Sequence, residues 1–368
     1  MRFNRVFDSH HSTRFRPCKP AGGYVGTAWR ASSWGSQTTI FRLDLGYVQA
    51  NTSRVKVRAL VSSFLLAAVS IGAASAGPQQ PAAPSQASEP EIKITPSETV
   101  IYEFARTLID WTPQQIRDCP SLRKLRPAGS QDQLPMILER AGQTGDTVFR
   151  DFPQVSCDEV LTSETSDGKT HSTKPQRFRY IVIPRPVGDV RTFEEYRTDP
   201  EGNPPTKISL DAFYMITSGF ASTWLYLSPA EQHDSRFRYF GSQTIRNREC
   251  HVVGFAQNPE KARRIGGLRI GNNNFASLVQ GLAWIDTRTF QILRITTWLL
   301  APRTDIDLTS DISMVDFYPV HPLGTERVLW LPRDVRVWAL YRGVALRNTH
   351  HYSNFKLFRV ESTIKPGR

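Results

Sequence analysis

The segment that most constrains the fold is residues 280–302, QGLAWIDTRTFQILRITTWLLAP, because its apolar side chains alternate with a period of two. Apolar runs at 282–285 and 291–300 flank the polar tetrapeptide 286–289, which is typical of a turn. The alternation places Leu293, Ile295 and Leu299 on one side of the second strand. The pattern predicts a hairpin with one apolar face, which needs a second layer or a closed shape to cover it.

The same pattern continues from residue 152 onward, with turn-like separators such as 167–168 and 341–343. Many short strands joined by turns predict an antiparallel meander. The predicted strands are 155–165, 177–183, 192–197, 235–245, 251–256, 283–285, 291–300, 311–317, 328–331, 335–340, 348–352 and 356–363. Residues 211–227 have helical spacing and predict a helix within the meander, whereas 265–274, rich in Gly and Asn, predicts a flexible loop.

Residues 97–150 are predicted to be helical. Ser97 is the expected N-cap of a first helix at 97–108, and Thr112 followed by Pro113 predicts the start of a second. A third helix at 133–150 contains Gly142 and Gly145, which weaken its middle. We therefore predict an α+β fold. Its N-terminal helices pack on a large, curved antiparallel sheet at 151–368, resembling a half-open β-barrel, and the two segments form one unit.

The N-terminal quarter of the chain predicts export. Residues 55–76, VKVRALVSSFLLAAVSIGAASA, contain a basic start, an apolar stretch and an A-x-A cleavage site, which together are the anatomy of a secretory signal peptide. Residues 1–54 are then a mis-annotated or disordered extension; the alternative is a cytoplasmic tail followed by an uncleaved anchor. Residues 77–96, rich in Pro, Ala, Ser and Gln, predict a disordered linker. The predicted location is the periplasm or the outside of the cell.

The positive charge of the chain is concentrated before this linker. Of the formal net charge of +12, residues 1–54 carry +6 from eight basic and two acidic residues, and residues 55–76 carry +2. The remaining +4 on residues 77–368 is ordinary for a solvated surface, so nucleic acid is not an expected partner.

The chain contains no familiar catalytic motif. GxSxG, HExxH, P-loop and dinucleotide-binding patterns are all missing from the sequence. His350 and His351 are adjacent, as are Cys250 and His251, and neighbours on a strand point to opposite faces. The histidine doublet is therefore expected at the surface or in a hairpin. We predict no catalytic residue, cofactor or metal ligand, and an enzyme ranks behind the other classes of function.

Cysteines and acidic residues leave alternatives open. In an oxidising compartment a disulfide between Cys157 and Cys250 is plausible, since both flank predicted strands; the alternative is that they are small buried apolar residues. Asp305, Asp307 and Asp311 form an acidic run, but no glycine or closing glutamate completes a calcium loop, so a solvated turn is expected.

Tryptophans are the most unusual feature of the predicted sheet. On a curved sheet they could line an apolar pocket, or they could fill the core, where each buries a large area. The candidate binding residues are Trp224, Trp284, Arg294, Trp298, Trp330 and Trp338.

Several stretches resemble exported acidobacterial proteins of unknown function, and they cover most of residues 150–302. They are DFPQVSCDEV, EEYRTDPEGN, MITSGFASTW, RYFGSQ, VVGFAQNP and QGLAWIDTRTFQILRITTWLLAP, extended by the WLP sequence that ends at Pro332. The predicted architecture is also distantly similar to periplasmic lipoprotein carriers and sensor domains, which are half-barrels with an apolar hollow. Neither resemblance brings a catalytic residue.

Together these features predict a non-enzymatic exported binding or carrier protein for an apolar ligand, a lipid or a lipidated partner. The alternative is a structural or interaction module of the cell envelope that binds another protein through its sheet edge.

Overall fold

A computed structural model describes residues 94–358, apart from gaps at 152–153, 167–168, 173, 188–189, 204–219, 263–265, 271–272 and 327. The predicted extension at 1–54 and the predicted signal peptide at 55–76 lie outside the described residues. So does the predicted linker at 77–96, except for its last three residues.

The helices begin where short polar side chains can cap them. Thr95 caps the first α-helix, where the sequence predicted Ser97, and Thr112 caps the second as predicted; each forms a capping box with the residue three positions later. The α-helices are α1 (Pro96–Glu103), α2 (Pro113–Asp118) and α3 (Leu134–Asp151). Short 3₁₀ helices lie at Leu108–Asp110, Pro120–Leu122, Phe220–Leu227, Gln232–Asp234 and Thr304–Ile306.

The strands are β1 (Arg126–Pro127), β2 (Gln154–Ser166), β3 (Thr170–Ser172), β4 (Gln176–Val187), β5 (Val190–Thr198), β6 (Ser235–Ile245), β7 (Arg248–Gln257), β8 (Gly266–Ile270), β9 (Asn273–Ser277), β10 (Val279–Asp286), β11 (Ile292–Leu299), β12 (Leu308–Val320), β13 (Leu329–Tyr341) and β14 (Val344–Phe358). Twelve of them form one antiparallel sheet in the order β1-β6-β7-β10-β11-β12-β13-β14-β2-β4-β5, with β3 paired to β2. The sheet is curved and not closed, and the predicted α+β class is confirmed.

The central hairpin forms as predicted, but at one position the alternation of side chains between the two faces is interrupted. Asp286 closes its turn, because its Oδ1 atom accepts hydrogen bonds from the backbone N–H groups of Arg288 and Thr289 at 3.1 and 2.8 Å. A β-bulge interrupts the pairing of β10 with β11 between Trp284 and Ile285. The bulge turns Leu293 to the face opposite Ile295, so the predicted grouping of these two residues is wrong.

The predicted flexible loop at 265–274 is also wrong. Strands β8 and β9 form a separate two-stranded hairpin there, in register from Gly266 opposite Ser277 to Ile270 opposite Asn273. The Gly and Asn residues that suggested a loop are compatible with a short, isolated hairpin.

The large sheet wraps around the 3₁₀ helix Phe220–Leu227, which we call the plug. Its aromatic side chains contact strands that are far apart in the sheet. The contacts are Tyr226 with Phe255 of β7, Phe220 with His350 of β14 and Trp224 with Phe193 of β5, with ring centroids 5.1, 5.0 and 5.8 Å apart. Eight strand steps separate β7 from β5, roughly 38 Å on a flat sheet, whereas eight 3₁₀ residues span only about 16 Å. The sheet must therefore curve around the plug.

The two faces of the sheet have different covers. The plug and α3 pack on the inner face, in a core that runs from Val155 and Tyr180 to Val253 and Phe255. The segment from the first 3₁₀ helix to Leu125 packs on the outer face over β6, β7, β10 and β11. The N-terminal segments therefore pack on both faces of the sheet, α3 on the inner face and residues 108–125 on the outer face.

Two glycines of α3 give a matched test of this packing. A Cβ at Gly145 would lie 3.6 Å from Trp224 Cε3, an ordinary contact, whereas at Gly142 it would lie 2.9 Å from Pro229 Cδ. Because alanine favours a helix over glycine, we expect Gly145→Ala to raise the free energy of unfolding by about 0.5–1 kcal/mol. We expect Gly142→Ala to lower it by about 1–3 kcal/mol. Urea denaturation measures both, and changes of the same sign would contradict the packing.

Candidate functional site

The first candidate site is a cleft between α3, the plug and one end of the sheet, which we call the tryptophan cleft. It lies among Ala141, Thr144, Gly145, Trp224, Phe290, Gln291, Ile292, Phe317 and Trp330. Its free volume is about 20 Å³, which is enough for about one water molecule. Since ligand pockets take roughly 300 Å³ or more, this conformation holds the cleft nearly closed.

A second cleft of the same size, the tyrosine cleft, lies farther along the inner face. Its lining is almost wholly apolar or aromatic and consists of Val155, Cys157, Tyr180, Val182, Leu331, Pro332, Tyr352 and Phe355. Its free volume is also about 20 Å³. Both of these clefts on the inner face are therefore nearly filled by side chains.

A buried ionic network lies beside the tyrosine cleft. Glu159 of β2 is fully buried and accepts four hydrogen bonds: from His350 Nδ1 at 2.7 Å, from Tyr352 Oη at 3.0 Å, and from Arg197 Nε and Nη2 at 2.6 and 2.9 Å. These donors fill the acceptor sites of the carboxylate, which is the condition for burying a charge at tolerable cost. The Tyr180 and Tyr352 rings, 5.0 Å apart, stand between the network and the cleft.

The network fixes the protonation of its members. Burial alone would raise the pKa of Glu159, but the hydrogen bonds from His350 and Arg197 and the Arg197 charge outweigh burial and lower that pKa to about 2. Burial lowers the pKa of His350, against the opposing pull of Glu159. At neutral pH the network is therefore a carboxylate held by one guanidinium, a neutral imidazole and a phenol.

The structure separates the six predicted binding residues. Trp224 and Trp330 line the tryptophan cleft. Trp284 and Trp298 are buried in the outer core, where Trp284 donates to Gln243 Oε1 at 3.0 Å and Trp298 stacks on Trp111 at 6.1 Å.

The other two predicted residues also lie on the outer face. Trp338 packs at the margin of the outer core, and Arg294 forms a bidentate pair with Asp316 at 2.7 and 3.0 Å. Only two members of the predicted set thus face a common cleft. Alternation along one strand could not reveal which face the helices would leave accessible.

The hypothesis of a disulfide between Cys157 and Cys250 is not supported, because both are free, buried thiols in this structure. Cys157 belongs to the inner core and Cys250 to the outer core, and five strands lie between β2 and β7 in the sheet order. Burial raises the pKa of Cys250 to about 12, which keeps it a thiol. Cys250 and His251 point to opposite faces, as expected from adjacent strand positions.

Two expectations about polar residues are wrong. His350 is fully buried in the ionic network and is not at the surface. Asp311 lies within β12, where burial raises its pKa to about 6, and it does not share a solvated turn with Asp305 and Asp307. Asp305 pairs with the buried Arg303 at 2.6 Å, so the acidic run does not form one site.

No pattern in the sequence points to the Glu159 network. Its glutamate and histidine are 191 residues apart and meet only because β14, the last strand, pairs with β2. A period-two pattern shows that each residue lies on the inner side of its strand, but it cannot pair distant strands.

Among the described residues, no helix combines the length and the apolar character needed to cross a membrane.

No protein-family model and no curated protein matches the chain. Similar solved structures include a DUF1329 family protein from Desulfovibrio piger, at 12% identity and a TM-score of 0.34, over 62% of this chain and 94% of that one. A putative outer membrane lipoprotein-sorting protein domain from Vibrio parahaemolyticus matches at 9% identity and a TM-score of 0.33, over 60% and 91%. A LolA superfamily protein from Nitrosomonas europaea matches at 13% identity and a TM-score of 0.29, over 62% and 94%. These similarities are distant and assign no residue a role.

The network predicts a specific acid sensitivity. The pKa values of Glu159 and His350 are both lower in the folded chain than their ordinary values of 4.5 and 6.5, so the unfolded chain takes up these protons first as the pH falls. Stability should therefore decline below about pH 6.5, and further between about pH 4.5 and pH 2.

Glu159→Gln tests this by removing the charge while preserving the shape. We expect it to cost about 3–5 kcal/mol at pH 7, because it removes the buried charge to which Arg197, His350 and Tyr352 all donate. The loss of stability between about pH 4.5 and pH 2 should also become smaller. Glu164→Gln is the control, since Glu164 pairs with the half-exposed Arg347 and should contribute less than about 1 kcal/mol. Urea unfolding from pH 8 to pH 3 measures the free energy of unfolding of both variants. An equal decline of that free energy with falling pH in the wild type and Glu159→Gln would refute the predicted role of Glu159.

Proposed function

We propose that the protein is a non-enzymatic, exported carrier that binds an apolar ligand, a lipid or a lipidated partner on the inner face of its curved sheet. The proposed location is the periplasm or the outside of the cell. The observation that carries the proposal is that a short, separate element, the plug, fills part of the inner face beside α3.

The plug suits reversible opening. It is a 3₁₀ helix of eight residues, a length that is uncommon because the hydrogen-bond geometry of this helix is poor. Its aromatic rings, rather than strand pairing, connect it to the sheet. Displacement of the plug would expose apolar surface without breaking any of the backbone hydrogen bonds between strands.

The tryptophan cleft lies where the plug would separate from the sheet. Trp224 of the plug forms one wall of the tryptophan cleft, while Phe317 and Ile292 of the sheet form another. An apolar chain that entered between these walls would replace the contacts between plug and sheet by contacts of its own. The apolar area lost on opening would then be recovered on binding.

A cleft-filling variant tests the carrier function. In Gly145→Leu the new side chain would grow from α3 toward Trp224 and occupy the tryptophan cleft. We expect the affinity for a fluorescent apolar probe, N-phenyl-1-naphthylamine, to fall at least about tenfold, the loss of roughly 1.4 kcal/mol of apolar contact. Trp338→Leu, on the outer face, is the matched control and should bind the probe as the wild type does.

Native mass spectrometry of the full chain, purified from its own host, provides the second measurement. A co-purified apolar molecule that is absent from Gly145→Leu would support the carrier function. A bare protein mass, together with equal probe binding by all three proteins, would reject it.

The alternative is an interaction module of the cell envelope. Its specific support is a pair of exposed apolar side chains at the C-terminal end of α1: Val100 is 57% exposed, and Phe104, the residue that follows the helix, is 85% exposed. This pair lies at the end of a helix and not at the sheet edge from which the sequence predicted binding.

Phe104→Ser separates the two functions. The exposed position should leave the free energy of unfolding within about 0.5 kcal/mol of the wild type. An interaction module predicts that the variant loses a stoichiometric envelope protein in native affinity purification, with Leu340→Ser, at another exposed apolar position, as control. The carrier function predicts that both variants bind the apolar probe normally.

A further inference from the structure

We infer that the ligand of the tryptophan cleft is an amphiphile with an anionic headgroup, a phosphate or a carboxylate, which is bound by a cluster of guanidinium groups beside the cleft. The inference rests on the proposed carrier function and specifies its ligand class. We call the cluster the arginine rim; it consists of Arg246, Arg248, Arg294, Arg333 and Arg336.

Three members of the rim share one carboxylate. Asp316 lies 2.7 Å from Arg294, 3.6 Å from Arg336 and 4.0 Å from Arg246, measured between the closest nitrogen and oxygen atoms. Its side chain is only 2% exposed, whereas the three arginine side chains are 24%, 35% and 25% exposed. The negative charge is therefore buried, and the positive charges that surround it reach solvent.

The other two members each have a carboxylate of their own. Arg248 pairs with the buried Asp286 at 2.7 Å, and Arg333 pairs with Asp334 at 3.2 Å. Five guanidinium groups thus face three carboxylates, an excess of two positive charges. The guanidinium groups of Arg246 and Arg333 both lie over the Tyr318 ring, 4.1 and 3.3 Å from its centroid, which keeps the like charges close together.

Arg336 has the greatest capacity for a new partner. Its 3.6 Å approach to Asp316 is an ion pair, and within the described residues its guanidinium forms no hydrogen bond. A guanidinium carries five N–H donors in a planar fork that matches the oxygens of a carboxylate or a phosphate. An oxyanion can therefore be bound here without displacing an existing hydrogen bond of Arg336.

The rim and the cleft share their walls. Trp330 lines the tryptophan cleft, and the Arg248 guanidinium lies 5.3 Å from the centroid of its ring. Phe317 also lines the cleft, and its backbone carbonyl accepts a hydrogen bond from Arg246 Nη1 at 2.9 Å. An acyl chain in the cleft would thus place its headgroup beside guanidinium groups, whereas a cationic headgroup there would meet the excess positive charge.

Two lipids with the same acyl chain test the inference. Oleoyl lysophosphatidate carries an exposed phosphate, whereas oleoyl lysophosphatidylcholine carries a choline over its phosphate. We expect isothermal titration of the full chain, below the micellar concentration of each lipid, to show at least about tenfold tighter binding of the lysophosphatidate, as for a charge-assisted contact. Raising the salt concentration should reduce this preference.

Matched variants locate the preference. Arg336→Gln and Arg248→Gln should each reduce it about fivefold to tenfold, with unchanged binding of the lysophosphatidylcholine. Arg347→Gln removes the same charge from β14, where Arg347 pairs with Glu164, and should leave the preference intact. Thermal unfolding of each variant shows that a loss of preference is not a loss of fold.

The outcomes separate the two proposals. Equal affinity for both lipids, with binding still abolished by Gly145→Leu, would overturn the anionic headgroup and leave the carrier function standing. Binding of neither lipid would count against both. Glycerol 3-phosphate that binds as tightly as the lysophosphatidate, and equally well to Gly145→Leu, would identify a site for free phosphate and overturn the link between rim and cleft.

Discussion

One large sheet wraps around an eight-residue plug, and this packing determines the shape of the sheet. A 3₁₀ helix has three residues per turn, so its side chains leave the axis in three directions. Phe220, Leu225 and Leu227 are each at most 2% exposed, and a single flat layer could cover only one of those directions. The sheet covers the others by curving. Its curvature is thus a consequence of burying a short element on all sides.

The Glu159 network stabilises the end of the sheet formed by β14, β2, β4 and β5. Arg197 of β5 reaches over β4 to Glu159 of β2, and His350 and Tyr352 of β14 approach the same carboxylate from the other side. One carboxylate therefore links three strands on the inner face. A buried charge is costly unless all of its partners are present, so the network favours the curved arrangement in which those partners meet.

The sequence predicted the type of most elements but not how they face one another. Period two located the hairpin of β10 and β11, and Thr112 before Pro113 located α2. The predicted cap of α1, Ser97, lies two residues after the observed cap, Thr95. These are local signals, and local backbone preferences decide them. The separation of Trp224 and Trp330 from Trp284 and Trp298 depends on which face the helices cover, and that is set by packing between distant segments.

The bulge between β10 and β11 explains the failure of the simple alternation. It places Leu293 on the outer face although Ile292 and Ile295 both lie inside, whereas the bulge opposite Asp316 and Phe317 has its extra residue, Arg333, in β13. An extra residue in one strand re-aims the side chains that follow it. Both bulges lie at the end of the sheet where the tryptophan cleft opens. At that end Trp330 packs against both the inner and the outer core and lines the tryptophan cleft, and the Arg248 guanidinium lies over its ring, so a ligand in the cleft would reach the arginine rim past Trp330.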